Sequence, residues 1–298
     1  MNTREEIGKR IYELRRYFKI TQNELCEGIC TQAYISKIEN GSLAIAADIL
    51  FQIAERLGVD INYFYDSSYN SRIDYSLEVE LLARELVERD DYDALNQLII
   101  REEKTPLMEN KKFKQFILWH KSLCKRFLGR DFPTALKLLD EALALFNTSS
   151  KVRSEREIQI LINKANVYVD IEEYNQAIKY YKEADSYIKK LPYLYDKSLI
   201  IMVHYNLART NLLNEDYERA IKYAEDGILQ CKKQQSFYGF GQLYFVMGIA
   251  NKKSGRLIEA LEMFNRAKPI FEIIDNSTLY TNTVKAIEDV ENELVETT

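Results

Sequence analysis

The sequence predicts an all-α protein with an N-terminal helix-turn-helix domain followed by a stack of helical repeats. Glycine and proline are scarce, with 10 Gly and 4 Pro in 298 residues, which disfavours the many tight turns of β proteins. Apolar residues make up 46% of the chain, enough for two buried cores. Capping signals define the first part, and a repeated pattern of aromatic and small residues defines the second.

Two short helices and a tight turn are predicted between Thr21 and Gly41. Thr21 is a good N-cap, and Glu24 three residues later completes a capping box. The first helix carries its apolar residues on one side, at Leu25 and Ile29. Thr31 begins the second helix, and Asn40-Gly41 ends it because these residues tolerate a positive φ.

Three further helices complete the predicted domain, residues 1–66. Residues 4–18 form an amphipathic helix whose apolar residues recur at spacings of four, three and four: Ile7, Ile11, Leu14 and Phe18. Residues 46–57 and 61–65 form the last two helices, with Gly58 as the stop between them.

The residues TQ at the head of one helix and SKIENG at the tail of the next resemble the lambda-repressor type of DNA-binding domain. In that type the second helix lies in the major groove, which implies base contacts from Gln32, Ala33 and Lys37 and a phosphate contact from Gln22. The full implied DNA-binding set is Gln22, Thr31, Gln32, Ala33, Tyr34, Ser36, Lys37, Arg15 and Arg16. The alternative is a helical hairpin with solvated polar residues.

The charge of this domain disfavours strong nonspecific binding to DNA. The chain has a net charge of −5, and residues 1–66 hold eight Lys or Arg against ten Asp or Glu. Affinity would therefore depend on local placement, chiefly the cluster Arg15, Arg16 and Lys19 at the end of the first helix. A dimer would double that set of contacts.

Several classes of protein are disfavoured by composition. The N-terminus has no apolar signal core and no stretch holds ~18 consecutive apolar residues, so we expect a cytoplasmic protein without a membrane segment. Two histidines and the absence of a Gly-rich phosphate loop predict no enzyme, no cofactor and no metal. The spacing of the four cysteines fits neither a disulfide framework nor a metal site. Cys26 and Cys30 lie one helical turn apart, a spacing that would suit a redox switch, but the simpler interpretation is that they are small buried apolar residues.

Beyond residue 76 the sequence repeats with steps of 40, 42, 43 and 40 residues. Each repeat has an anchor followed three residues later by Ala or Leu; the anchors are Tyr92, Phe132, Tyr174, Tyr217 and Leu257. Small residues recur before and after most anchors, for example Ala165, Ala208 and Gly248, and such residues let neighbouring helices approach closely.

This pattern resembles the tetratricopeptide repeat, in which a small residue, an aromatic and Ala-x3-aromatic recur, as in Ala165, Tyr174, Ala177 and Tyr181. The steps exceed the usual ~34 residues, so longer helices or loops are expected. We predict a linker or connecting helix at residues 67–76, five degenerate repeats at 77–276 that form a superhelix, and a C-terminal capping helix at 277–298.

In tetratricopeptide superhelices the first helix of each pair lines the concave side. The resemblance places these residues there as a peptide-binding set: Gln159, Asn163, Asn166, Tyr205, Asn206, Arg209, Lys121, Gln242 and Lys252. An Asn amide offers a donor and an acceptor and can pair with both groups of a peptide bond, while Arg209, Lys121 or Lys252 could take a carboxylate. The alternative is a water-filled groove, or asparagines that satisfy neighbouring helix ends.

A repressor-type domain joined to five such repeats resembles the Rgg/NprR/PlcR/PrgX family of quorum-sensing regulators, and in length and repeat layout the PlcR type most closely. The resemblance implies a homodimeric transcription factor that binds a palindromic site on double-stranded DNA and is controlled by a short signalling peptide. One departure is the acidic group Glu88, Asp90 and Asp91, which implies either a less acidic peptide or a peptide that binds elsewhere. The alternative function is a peptide-independent repressor whose repeats serve dimerisation or protein docking.

Overall fold

The computed structural model describes residues 3–65, 71–146 and 152–296. Within these residues the chain forms fifteen α-helices and two short 3-10 helices, without a strand, which confirms the all-α class. The chain divides into two compact units, Met1–Leu82 and Ala83–Thr298. Part of the predicted linker, residues 67–70, lies outside the described residues, and residues 71–76 begin a longer helix.

The first unit contains four helices and a closing 3-10 turn around one apolar core. Its elements are α1 (Thr3–Tyr17), α2 (Gln22–Cys26), α3 (Gln32–Glu39), α4 (Ala47–Leu57) and the 3-10 helix Ile61–Phe64. Ile11, Leu25 and Ile35 are fully buried, so the inward faces of three successive helices meet in this core. Arg56 of α4 donates to the free carbonyls of Glu24, Leu25 and Glu27 at the end of α2.

Two residues predicted on the apolar faces of helices are less buried than expected because the helices end earlier. Helix α1 ends at Tyr17, and the turn at Lys19, with a φ of 58°, leaves Phe18 46% exposed against the Tyr17 ring. Ile29 follows the end of α2 and packs only partly against the core. Cys26 is buried and Cys30 half-buried, and burial raises the pKa of the Cys30 thiol.

The second unit is a succession of helical hairpins. It begins within α5 (Ser71–Glu88), whose first part belongs to the first unit. The helices that follow are α6 (Tyr92–Glu102), α7 (Lys111–Phe127), α8 (Phe132–Ala144), α9 (Glu155–Asp170), α10 (Tyr174–Ile188), α11 (Ser198–Leu213), α12 (Tyr217–Gln234), α13 (Phe240–Lys253), α14 (Leu257–Ile273) and α15 (Ser277–Glu296). The partners α7 and α8, α9 and α10, α11 and α12, and α13 and α14 pack most closely. Helix α15 then packs on α14, at the place where a capping helix was predicted.

The hairpin turns share one backbone conformation, which fixes the place of each anchor. Two residues before each anchor the chain has a left-handed φ, from 47° to 76°, at Asp90, Arg130, Glu172, Glu215 and Gly255. The residue after this position precedes the second helix, and in three hairpins it is an aspartate that accepts a backbone N–H: Asp91, Asp131 and Asp216. Each anchor is therefore the first residue of the second helix of its hairpin.

Small residues mark the crossings between helices. Ala165, Ala208, Ala184 and Ala267 are fully buried, as their recurrence predicted. At Gly248 a Cβ atom would lie 2.5 Å from Cε1 of Phe264, so only glycine allows α13 and α14 to approach this closely.

The turn at Gly255 offers a test of the shared backbone conformation. Its φ is 76°, and a Cβ atom there would meet no atom within 4 Å. We expect Gly255→Ala to lower the free energy of unfolding by about 1 kcal/mol through backbone strain alone. Urea denaturation measures the change.

Gly129→Ala is the matched control, because its nearest neighbour, the carbonyl oxygen of Lys125, would be 3.7 Å from the new Cβ and its φ is not positive. This control should leave stability unchanged or slightly raised. Equal stabilities for the two variants would contradict the strain argument.

Candidate functional site

The helix α3 is held in place by caps on both short helices. The hydroxyl oxygen of Thr21 accepts the backbone N–H of Glu24 at 3.2 Å, and the Glu24 carboxylate accepts the backbone N–H of Thr21 at 2.6 Å. The Thr21 hydroxyl also donates to this carboxylate at 2.7 Å. The two bonds donated to the carboxylate, by the Thr21 backbone N–H and by the hydroxyl, lower the pKa of Glu24. The hydroxyl of Thr31 accepts the N–H of Tyr34 at 3.3 Å and begins α3. Both capping predictions therefore match the structure.

One face of α3 is free for a ligand while the other is buried. Ile35 and Ile38 lie in the core, and Gln32, Ala33 and Lys37 are exposed on the opposite side. Ser36 lies among them and is half-buried. This surface carries an amide, a methyl and an ammonium group, which are the groups that distinguish base edges in a major groove.

The carboxylate of Glu39 organises the buried edge of the same helix. It accepts two hydrogen bonds from Arg15, at 2.6 Å from Nε and 2.8 Å from Nη2, and a third at 2.8 Å from Nε2 of Gln22. The side chains of Arg15 and Glu39 are only 8% and 5% exposed. The bond to Glu39 raises the pKa of Arg15. Arg15 therefore joins α1 to α3, which corrects its assignment as a DNA contact.

The other predicted DNA contacts are placed at or near the surface. Nε2 of Gln32 donates to Oε1 of Gln22 at 2.5 Å, so Glu39, Gln22 and Gln32 form one chain of hydrogen bonds that ends at the exposed face. The hydroxyl of Tyr34 accepts the backbone N–H of Ala46 at 3.2 Å and so fixes the loop before α4. Arg16 is exposed.

The helices α5, α7, α9 and α11, each the first of its hairpin, all contribute residues to one cavity, and α11 and α13 contribute to another. We call the side formed by these first helices the inner face (α5, α7, α9, α11 and α13). A cavity of about 350 Å³ opens there between α5 and α11. It is lined by Arg84, Val87, Glu88, Tyr92, Trp119, His120, Leu123, Arg126, Phe127, Gln159, Ile162, Asn163, Asn166 and Met202. We call it the first cavity.

The predicted amides lie together at this cavity. Gln159, Asn163 and Asn166 are half-buried in its wall on successive turns of α9. Oδ1 of Asn166 accepts the hydroxyl of Tyr181 at 2.5 Å and faces Nδ2 of Asn206 on α11 at 3.5 Å. Asn166 therefore links α9, α10 and α11.

A second cavity of about 350 Å³ lies beyond α11. Tyr205 and Gln242, both predicted to face the groove, line it together with Phe237, Tyr238, Gly239 and Ile274. Burial raises the pKa of Tyr205. Since Met202 borders the first cavity and Tyr205 the second, one turn of α11 separates the two.

Two of the three cations predicted to bind a ligand carboxylate, Lys121 and Lys252, are paired with carboxylates of the chain itself. The ammonium of Lys121 is 2.6 Å from the carboxylate of Glu103, and that of Lys252 is 2.7 Å from Glu293 on α15. Neither lines the first or the second cavity, and their ion pairs correct the expectation that they are free to take a ligand carboxylate. Arg209 is exposed, close enough to Tyr205 to oppose the rise in its pKa.

Of the three acidic residues singled out in the sequence, only Glu88 borders the first cavity. Asp90 takes the left-handed turn position and Asp91 caps α6. Glu88 shares the cavity wall with Arg84 and with Arg126, whose guanidinium binds both carboxylate oxygens of Asp170. The wall therefore carries both signs of charge.

Sequence reasoning missed the aromatic part of the first cavity. Tyr92 was an anchor of the repeat, yet its ring stacks on Phe127 with centroids 4.1 Å apart at the cavity wall. Burial, followed by the nearby Asp90 carboxylate, raises the pKa of Tyr92 to about 12. Trp119 lines the same cavity. A signal for this cavity was present in the sequence, because aromatic residues stand at the first position of α6, Tyr92, and at the last position of α7, Phe127.

Among the described residues, no helix is both long and apolar enough to cross a membrane. In the same part of the chain, no three His, Cys, Asp or Glu side chains are grouped so that they could hold a metal ion.

Comparison with known proteins finds a family match for each part of the chain. Residues 80–291 match the RNPP family C-terminal domain, and residues 11–64 match a helix-turn-helix domain. The transcriptional activator NprA of Geobacillus stearothermophilus is 21% identical over 256 residues, which cover 86% of this chain and 60% of NprA. The chain thus spans less than two thirds of that relative.

Solved structures share the fold. Bacillus thuringiensis PlcR, in complex with the peptide PapR7 and DNA, superposes with a TM-score of 0.77 at 21% identity, over 95% of this chain and 99% of PlcR. The pheromone receptor Rgg2 of Streptococcus dysgalactiae gives a TM-score of 0.61 at 17% identity, over 95% and 99% of the two chains.

The Glu39 network predicts a local loss of stability on substitution. Glu39→Gln leaves the buried guanidinium of Arg15 opposite a neutral amide, which should cost about 3 kcal/mol. Native-state hydrogen exchange of the amides in α1 and α3 should then become about 100-fold faster. Glu13→Gln, which removes only the exposed ion pair with Lys9, should change exchange little. Similar effects for the two substitutions would contradict a structural role for Glu39.

His120 predicts a pH dependence of stability. Burial lowers its pKa from 6.5 to about 4, so the folded chain holds the imidazole neutral. Between these values the unfolded chain binds a proton that the folded chain does not, so stability falls as the pH falls. The loss from pH 7 to pH 5 should be smaller in His120→Gln by about 2 kcal/mol. Urea denaturation at both pH values tests this, and parallel losses would contradict it.

Proposed function

The chain belongs to the RNPP (Rgg/NprR/PlcR/PrgX) family, and from this we propose that it is a sequence-specific DNA-binding transcriptional regulator. In this proposal a short signalling peptide binds the inner face of the repeats and controls the regulator. It would act in the cytoplasm as a homodimer on a palindromic double-stranded site, without enzymatic activity. The relative NprA is a transcriptional activator, and the structure of PlcR contains a peptide and DNA, which supports the proposal.

The observation that carries the peptide assignment is the amide wall of the first cavity. Gln159, Asn163 and Asn166 stand on successive turns of α9, with Asn206 facing Asn166 from the next first helix. Each amide can pair with the N–H or the C=O of an extended backbone. Because backbone groups recur in every peptide, the amides would give affinity, and the apolar parts of the cavities would give selectivity.

The DNA contacts are assigned to the exposed face of α3. In this proposal Gln32 pairs with adenine and Lys37 with guanine, while Ala33 meets a thymine methyl. Gln22, Thr31, Tyr34, Ser36 and Arg16 contact the phosphate backbone. Arg15 is left out of the assignment because it is buried against Glu39.

Control by the peptide requires two arrangements of the dimer. A ligand shifts such an equilibrium only by its differential affinity for the two states. A peptide on the inner face bridges first helices of neighbouring repeats, so it favours the state in which their spacing suits it. The two recognition helices of the dimer then match the spacing of the half-sites.

The second candidate function is a peptide-independent repressor whose repeats dimerise or dock another protein. The ion pairs of Lys121 with Glu103 and of Lys252 with Glu293 favour this second function, since both ammonium groups are then already neutralised and do not need a peptide carboxylate. Selection of bound sequences from random DNA, with and without the short-peptide fraction of the growth medium, separates the two. A palindrome that is enriched only with peptide supports the sensor, and equal enrichment in both arms supports the repressor.

Asn206→Ala tests the inner face directly. The substitution removes an amide from α11 and its contact with Asn166, so we expect it to abolish the peptide response while the chain stays folded. Calorimetry with the peptide fraction measures the affinity. Asn214→Ala removes an exposed amide at the end of the same helix and should bind normally. An unchanged affinity in Asn206→Ala would exclude this residue from the site.

Gln32→Ala tests the recognition helix. We expect it to relax base preference at one position of each half-site by about 1 to 3 kcal/mol. Sequence selection followed by competition binding at fixed salt measures this. Gln52→Ala, an exposed amide on α4, is the control and should keep the preference. An unaltered recognition sequence in Gln32→Ala would show that the base contacts come from other residues.

A further inference from the structure

We propose that one end of the repeat stack docks on the surface of a membrane that contains anionic lipid. The contact would be made by the loop between α10 and α11 and by the end of α12. We call this surface the basic aromatic patch, and its residues are Lys190, Tyr193, Tyr195, Lys197, Lys232 and Lys233. Contact of this kind is made at the headgroups and needs no membrane-spanning helix.

Two tyrosines of the loop between α10 and α11 are presented to solvent. Tyr195 is 84% exposed, more than any other large apolar side chain among the described residues, and Tyr193 is 61% exposed. Their rings meet edge to face with centroids 4.8 Å apart. Leu191 and Leu194 of the same loop pack against the core. The loop therefore turns its leucines inward and both rings outward.

The loop is fixed by its backbone and not by the exposed rings. The carboxylate of Glu155, at the start of α9, accepts the backbone N–H of Tyr195 at 2.6 Å and that of Asp196 at 3.1 Å. Asp196 in turn accepts the hydroxyl and the backbone N–H of Ser198 at 2.5 and 3.0 Å. Since the rings take no part in these bonds, substitution of Tyr193 or Tyr195 should leave the loop in place.

The loop after α12 lies beside this loop. A Cβ atom at Gly239 would be 3.2 Å from Cγ2 of Ile201 in the first turn of α11. Burial, followed by the carboxylate of Asp196, raises the pKa of Tyr238. The ends of α10 and α12 and the start of α11 therefore lie at the same end of the stack.

The lysines at this end carry positive charge that the chain does not neutralise. The one acidic residue in 189–199 and 230–240 is Asp196, which is engaged by Ser198. Four lysines of these segments are exposed and, among the described residues, have no carboxylate within ion-pair distance. They are Lys190, Lys197, Lys232 and Lys233.

The opposite end of the same hairpins carries the opposite charge. The turn between α9 and α10 contains Glu172 and Glu173, and the turn between α11 and α12 contains Glu215 and Asp216. Neither turn contains a lysine or an arginine. An anionic surface attracts the lysine end and repels the acidic end, so the charges favour one orientation of the stack.

The residue types favour a lipid surface over a nucleic acid. Tyrosine with lysine is typical of membrane interfaces, where the ring enters the headgroup region and the ammonium stays in water near the phosphates. Recognition of nucleic-acid phosphates favours arginine, which is absent from 189–199 and 230–240. The dipoles of α10 and α12 suit lysines at their C-terminal ends, but they do not account for the exposed tyrosines.

Co-sedimentation of the full-length protein with lipid vesicles tests the proposal. One set of vesicles consists of phosphatidylcholine alone, and the other also contains phosphatidylglycerol. We expect binding to the second set only, and weaker binding as the salt concentration rises, because the attraction is electrostatic. Absence of binding to both sets would overturn the proposal.

Reversal of one charge tests the lysines. Lys197→Glu should weaken binding to the anionic vesicles about thirtyfold at low salt. A glutamate at the start of α11 suits the helix dipole, so the fold should be preserved. Lys182→Glu is the matched control, because Lys182 is exposed in the middle of α10 and the net charge changes equally. Equal weakening in both variants would show a response to net charge alone and would contradict the patch.

Removal of both rings tests the tyrosines. Tyr193→Ser combined with Tyr195→Ser should weaken binding to the anionic vesicles about tenfold, because two rings no longer leave water. Tyr17→Ser is the control, since Tyr17 is 78% exposed in the first unit, and it should bind normally. Sequence-specific DNA binding should be unchanged in Lys197→Glu and in the double variant, because these residues line neither cavity and lie outside the helix-turn-helix.

Two results would assign the patch to another partner. If Lys197→Glu and the double tyrosine variant leave vesicle binding unchanged but weaken binding to a single-stranded oligonucleotide, the patch binds nucleic acid and the proposal is wrong. If they change the oligomeric state in solution and not the binding to vesicles, the patch is an interface between copies of the chain, and the proposal is equally wrong.

Discussion

Close packing of helices at small residues is the constraint on which both units depend. In the first unit, a Cβ atom at Gly8 would lie 1.9 Å from the carbonyl oxygen of Ile38, so α1 rests directly on the backbone of the last turn of α3. In the second unit, a Cβ atom at Gly241 would lie 2.7 Å from a ring carbon of Phe271, so this glycine leaves room for a buried ring of α14. Because interiors are close-packed, a larger residue at Gly8 would push α1 away from α3, and one at Gly241 would displace the Phe271 ring. The orientation of α3 and the spacing of the inner-face helices are therefore set by residues that take no part in binding.

This constraint explains why polar residues are tolerated at the two candidate sites. A stack fixed by its small residues needs no apolar packing on the inner face, so amides can occupy α9 and α11 there. In the first unit, the contact between α1 and α3 brings Arg15 and Glu39 together, and the buried pair is satisfied by bidentate geometry and by Gln22. Buried ion pairs contribute little net stability, but they are costly to break, and they fix a specific arrangement. Here the arrangement ends at Gln32 on the exposed face.

Most of the fold could be predicted from the sequence because its signals are local. Caps at Thr21 and Thr31 and anchors such as Tyr174 act within a few residues of the backbone that they define. The errors came from contacts between elements. Spacing placed Phe18 on the apolar side of α1, but the helix ended one residue earlier and the side chain turned outward. Arg15 matched a surface position of its helix, and only the tertiary position of Glu39 buries it. The amides of the inner face followed from the repeat pattern, whereas the ring stack of Tyr92 on Phe127 required the packing of two hairpins.

Asn166 is placed so that a ligand bound at the inner face would change the contacts between neighbouring repeats. Its side-chain oxygen accepts the hydroxyl of Tyr181, a fully buried side chain of α10, and faces the amide of Asn206 on α11. A backbone that pairs with Asn166 or Asn206 must share or replace the contact between them. Since that contact spans two successive hairpins, its loss or reinforcement changes the interaction between repeats rather than within one repeat. In a stack of repeats the interfaces between neighbours contribute a separate part of the stability, so a small ligand can alter curvature without unfolding any hairpin. The amides at this place can thus couple ligand binding to the shape of the second unit.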